Sequence, residues 1–402
     1  MAGDRASAGL VDHLAGRRVV VCLGAGGVGK TTVSAAVAVG LCAAGRRVLC
    51  LTIDPARRLA DSLGVSREDG GEREIPADRL AAVGVSGGGR LYVAVLDAAT
   101  TLEQVVRRSA PDEATARRVL SNRLFGYLSG SLPGMQEVMA LERLFAARED
   151  PRFDVLVLDT PPTAHALDFL DAPRRLVAAL DSPLSRFLAE GPREGLAGAG
   201  GRSLRFVLRR LARLAGPGLF EEMSEFLGDA RTLLPGFRAR ALDVDAALRS
   251  AAVAFVVVAS VQPPAIDEAA FVHDRLGALG REGDVVVVNR VRLRVLREGE
   301  SLEGHRLPAL LAERLRDNLE RHEQQAADDE AEVRRLVRRC GAHHRYYRIP
   351  AFASDVRDLA AVAAAARVLF DPGAAIEPEA GGRAEVDVGR DGRDGPARTG
   401  PS

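Results

Sequence analysis

Val19-Val20-Val21-Cys22-Leu23-Gly24-Ala25-Gly26-Gly27-Val28-Gly29-Lys30-Thr31-Thr32 runs from five apolar residues into a glycine-rich loop that ends in Lys-Thr-Thr. Residues 24–31 fit the pattern Gly-x-x-x-x-Gly-Lys-[Ser/Thr] in full, between a strand-like run and a helical run at 32–44. The glycines let backbone N–H groups converge on phosphate oxygens without Cβ clashes, and a helix N-terminus adds partial positive charge. Lys30 is placed to reach the β- and γ-phosphates of a nucleoside triphosphate, and the Thr31 hydroxyl to ligate Mg²⁺. Gly24, Gly26, Gly27, Val28, Gly29, Lys30, Thr31 and Thr32 are therefore candidate nucleotide contacts. The plain alternative is an ordinary glycine-rich turn.

Composition weighs against that alternative. Lys30 is the sole lysine of the 402-residue chain, and the other 54 basic residues are arginine. Placed at random among the 55 basic positions, one lysine would land here about once in 55 trials. A compact ammonium fits between phosphate oxygens, where the planar arginine fork does not.

Outward from the loop, apolar β-branched runs recur at 18–23, 48–52, 91–96, 155–158, 254–260, 285–288 and 346–349. Helical stretches separate them, which predicts an α/β protein with a doubly wound, mostly parallel sheet of the P-loop NTPase type. Residues 101–150 and 173–250 break the rhythm as long helical stretches and predict an inserted helical subdomain. The expected domain is 17–372, with an N-terminal tail at 1–16 and a disordered Gly/Pro-rich tail at 373–402. The charged stretch 302–339 reads as a solvated pair of surface helices.

Two carboxylates end strands near the loop. Asp159 closes the run Val155-Leu156-Val157-Leu158 and is placed to hold Mg²⁺ or one of its waters. Asp54, in Thr52-Ile53-Asp54-Pro55-Ala56, can orient a water in line with the γ-phosphate; it can equally cap a helix that starts with Pro55. The expected cofactors are ATP and Mg²⁺, with Lys30 and Asp54 as catalytic groups.

Bulk properties narrow the remaining classes. Formal net charge is zero and aromatics make up 4% with no tryptophan, which argues against a nucleic-acid surface. The four cysteines show no two-residue spacing of zinc or redox type. Neither a signal-type apolar run at 1–16 nor an integral membrane segment is evident, so the expected location is cytoplasmic.

Taken together, the loop, the 52–56 segment and Asp159-Thr160-Pro161-Pro162-Thr163-Ala164-His165 resemble the ArsA family of P-loop ATPases, a branch with a deviant Walker A loop. That family includes the arsenite-pump ATPase and the ATPase that targets tail-anchored membrane proteins. The resemblance implies that Asp54 lies in a first switch and residues 159–165 in a second. It also implies that Asn289 reads adenine and that Pro350 and Phe352 pack around the base. The family's signature lysine falls on Ala25, and neither the arsenite-binding cysteines nor the zinc cysteine pair has a counterpart. A homodimer would therefore lack that lysine in both sites, which points to a heterodimer with a paralogous ATPase as the other arrangement. A ParA- or MinD-like positioning ATPase is a less fitting relative, given the long helical insertion.

Apolar stripes at Leu219-Phe220, Met223, Phe226-Leu227 and Leu233-Leu234, and at Met135, Met139 and Leu144-Phe145, suit either a groove for a hydrophobic protein client or the subdomain's own core. Core is the plainer reading. The two function classes are an ATPase that couples hydrolysis to client release, and a nucleotide-dependent regulatory subunit with weak turnover.

Overall fold

Runs such as VVVCLG, VAFVVVAS and VVVVNRV are β-branched over nearly their whole length, and every residue of the first two is buried. Such strands need cover on both faces, which a parallel sheet between helical layers supplies. A computed structural model describes residues 9–53, 59, 62–63, 71–122, 125, 135–160, 166–181, 217–278, 280, 285–296, 308–341 and 344–376.

Nine strands lie in one sheet among the described residues. They are β1 (Val19–Gly24), β2 (Arg47–Thr52), β3 (Arg73–Glu74), β4 (Arg90–Val95), β5 (Val155–Asp159), β6 (Val253–Ser260), β7 (Val285–Val291), β8 (Arg345–Pro350) and β9 (Ala375–Ile376). Their order is β3-β4-β2-β5-β1-β6-β7-β8-β9, and only the edge pairs β3–β4 and β8–β9 are antiparallel. The seven predicted strands are all present. β3 and β9, two residues each, are additions at the edges.

The helices are α1 (Leu10–Leu14), α2 (Lys30–Ala43), α3 (Ala77–Ala82), α4 (Ala98–Ser109), α5 (Glu113–Ser121), α6 (Met135–Arg148), α7 (Ala166–Leu180), α8 (Pro217–Leu248), α9 (Pro263–Ala278), α10 (Ala309–Cys340) and α11 (Leu359–Phe370). Along β1, Val20 and Cys22 join the core under α2 and α11, while Val19, Val21 and Leu23 join the core under α6 and α9. α2 is buried from Val33 to Cys42, which its small residues permit. At Gly40 a Cβ would lie 2.2 Å from the Phe370 ring, so glycine alone lets α11 cross so closely.

Helices α4 to α8 enclose a third core of Leu102, Val105, Val106, Val119, Met139 and Leu233. Asp97 and Asp112 cap α4 and α5 by accepting from the Thr100 and Thr115 amides. The buried Glu142 of α6 pairs with Arg240 of α8 at 2.7 Å.

Three expectations change. Residues 1–16 are not all tail, because α1 buries Leu10 and Leu14 in the main core. The domain extends past 372, since Ala375–Ile376 pairs with β8. The charged stretch near 302–339 forms one 32-residue helix, α10, not a pair.

Candidate nucleotide site

Gly24 ends β1, the strand between β5 and β6, at the C-terminal edge of the parallel sheet. In open α/β sheets this edge, where neighbouring connections diverge, is where ligands bind. Two glycines of the loop are dictated sterically. Gly24 has φ +151° and a Cβ there would stand 2.2 Å from the Val258 carbonyl oxygen; Gly29 has φ +90° and its Cβ would meet the Asn289 amide nitrogen at 2.3 Å.

α2 starts at Lys30, so its first N–H groups face into the loop. The Lys30 Nζ is buried and donates 2.7 Å bonds to the carbonyls of Gly24 and Ala25. Burial lowers its pKa, opposed by attraction to Asp159 and Glu268.

Asp159, at the end of β5, is fully buried between Thr52 of β2 and Cys22 of β1. Thr31 Oγ1 and Thr52 Oγ1 donate to its Oδ2 at 3.0 and 3.1 Å. Ser34 Oγ lies 3.1 Å from its Oδ1 and 2.9 Å from the Lys30 carbonyl, which share its one proton. Desolvation pushes the carboxyl pKa up to about 6, against the hydroxyl bonds and Lys30. Beside it, the Thr160 hydroxyl donates to the Cys22 carbonyl at 2.7 Å.

A carboxylate and the Thr31 hydroxyl next to a phosphate loop form a hard oxygen donor set, which fits Mg²⁺. The buried carboxylate, held by hydroxyls and facing one ammonium, has charge to spare for a cation.

From the other side, Asn289 of β7 is buried and donates Nδ2–H to the Val28 carbonyl at 2.9 Å, while its Oδ1 accepts from the Arg290 amide. That leaves one donor and one acceptor of the amide for another group. Pro350 closes β8 opposite Val291, and Phe352 follows it, 36% exposed. Gly26 and Gly27 are exposed, Val28 is buried, and Thr31 and Thr32 are half-buried. Asp54 and residues 161–165 lie outside the described residues.

Sequence reasoning missed Ser34, Thr52 and Glu268. The Oε1 of Glu268, on α9, is buried with no hydrogen-bond partner among the described residues, and its charge acts on Lys30. A hydroxyl within an apolar helix or at a strand end has no distinctive spacing. Only the β2–β5 register brings Thr52 to Asp159.

The strand–loop–helix cradle, its lysine and the strand-end carboxylate are the local features of a P-loop NTPase-like α/β fold. Residues 17–190 match the Anion-transporting ATPase family. The ATPase GET3 of Malassezia globosa is 28% identical over 172 residues, covering 43% of this chain and 46% of that protein. The ATPase GET3 of Mycosarcoma maydis is 30% identical over 192 residues, 47% of this chain and 53% of that protein. A putative arsenical pump-driving ATPase of Prosthecochloris vibrioformis is 33% identical over 159 residues, 40% of this chain and 36% of that protein. The chain thus spans about half the length of the curated relatives it matches. Over the matched stretch it is similar to ATPases of the ArsA type.

Proposed function

We propose that the chain binds Mg·ATP in the 24–32 loop, hydrolyses it, and couples its nucleotide state to the helical subdomain as a cytoplasmic, dimeric ATPase. The observation that supports this best is the pairing of a buried Lys30 on the loop carbonyls with a buried, hydroxyl-held Asp159. In this reading the loop amides and Lys30 bind the terminal phosphates. Thr31 and Asp159 hold Mg²⁺, which would supply charge neutralisation at the β- and γ-oxygens. Asn289, Pro350 and Phe352 surround the adenine, and Asp54 orients the attacking water.

Phosphate release by the purified chain tests hydrolysis. Asp54→Asn should abolish turnover and leave Mg·ATP affinity within about twofold, since a water-orienting carboxylate acts after binding. Undiminished turnover would remove Asp54 from the mechanism.

A second reading has support in Ala25, which is 7% exposed and places a methyl group where the resemblance to the ArsA family implies a lysine. The chain would then be a regulatory subunit that turns over ATP only beside a paralogue carrying that lysine. Robust hydrolysis by the chain alone would decide against it. A hydrophobic client finds no support in Met139, Leu144, Phe145 and Leu233, which are 1, 1, 8 and 4% exposed and belong to internal cores. Met135 and the 219–227 stripe have side chains outside the described residues; crosslinking to an apolar helix tests client binding there.

A further inference from the structure

The geometry points to Arg290 as a second cation for the triphosphate, swinging from the loop carbonyl on which it now rests to the phosphate chain of the bound nucleotide. This inference deepens the nucleotide reading and rests on it.

Three observations support it. Arg290 is the one non-glycine residue with positive φ (+62°) among the described residues. For an arginine that left-handed conformation is strained, and it persists only where the surroundings impose it. The surroundings are visible. The β7–β8 register slips between Val288 and Val291, and the Arg290 amide donates to the side chain of Asn289, itself tied to Val28 of the loop. Bulges of this kind re-aim side chains next to functional sites.

Second, the slip sends Arg290 over the phosphate loop, where its Nη1 donates to the Gly27 carbonyl at 3.2 Å across 263 positions of sequence. The loop carbonyls of Gly24, Ala25, Gly27 and Val28 are held by Lys30, Arg290 and Asn289. Lys30 and Arg290 are thus in equivalent states, each a cation resting on neutral oxygens. Phosphate oxygens, with full negative charge, form bonds roughly twice as strong and take both cations from those carbonyls.

Third, the guanidinium is exposed and pairs with no carboxylate among the described residues. Elsewhere the arginines are heavily committed, as Arg47 is to Asp154 and Arg292 to Asp329. A positive charge kept free beside the loop is available to an anion.

The test is titration of wild type, Arg290→Gly and Arg290→Lys with Mg·ATP by calorimetry. Adenosine is then measured by competition against a fluorescent ATP analogue. Glycine adopts the observed φ without strain, so Arg290→Gly removes the charge while keeping the backbone. Nucleotide-free melting should be unchanged or raised. Mg·ATP affinity should fall about tenfold, adenosine affinity should hold, and Arg290→Lys should retain most of the Mg·ATP affinity. Wild-type Mg·ATP affinity in Arg290→Gly, or equal losses for ATP and adenosine, overturns the role of Arg290 alone. Failure of wild type to bind Mg·ATP removes the nucleotide reading and this inference with it.

Discussion

Asp159 sits where burial and function pull in opposite directions. Three hydroxyls and the Lys30 ammonium hold its carboxylate, yet desolvation still lifts its pKa to about 6 from an ordinary 3.8. Between those values the folded chain binds more protons than the unfolded one. Stability of the nucleotide-free protein therefore falls as pH rises through that window, and the full penalty applies above about pH 6. Asp159→Asn, equal in shape and without charge, should raise nucleotide-free stability at pH 7.5 by on the order of 1–2 kcal/mol, with the gain fading towards pH 4. Urea melts at the two pH values read this directly, and equal effects at both would contradict it. Gly29→Ala should cost at least about 1 kcal/mol, from its positive φ and from the Asn289 amide 2.3 Å from the new methyl. Lys30, Thr31 and Asp159 are legible from sequence because short-range spacing encodes the loop and a strand run ends in the carboxylate. Ser34, Glu268 and Arg290 are not, because packing of distant elements gives them their places.

At the scale of elements, the parallel strands announce themselves as valine-rich runs, since burial on both faces removes polar alternation. β3 (Arg73–Glu74) and β9 (Ala375–Ile376) are too short to show a period, and α1 is a single turn and a half whose two leucines show no repeat. α10 looked solvated because its charges dominate, but several of those charges do structural work. Asp329, 3% exposed, accepts from the Arg292 amide and guanidinium, and Glu323 accepts from the amides of Val295 and Leu296. The helix thereby pins the segment that follows Asn289 and Arg290. Asp329→Ala leaves a half-buried guanidinium without its partner, and should cost about 2–3 kcal/mol in a denaturant melt. A change below about 0.5 kcal/mol would show that α10 does not hold this segment.

For the whole molecule, the doubly wound sheet places the loop, Asp159 and Asn289 on one edge although they lie far apart in sequence. The helical subdomain adds its own core, and the Leu144 side chain extends from α6 into the sheet core under α6 and α9. Leu144→Ala should destabilise the fold by about 2–5 kcal/mol, as expected of a core leucine. A neutral effect would revive the groove reading of that stripe. The proposed function depends on the loop's grip on a triphosphate through the chain's sole lysine. Equilibrium binding of Mg·ATP to wild type and to Lys30→Ala tests it: micromolar or tighter binding by wild type, weakened about a hundredfold or more in the variant, is the outcome it predicts. Equal affinity of the two proteins, or no binding by either, would contradict it.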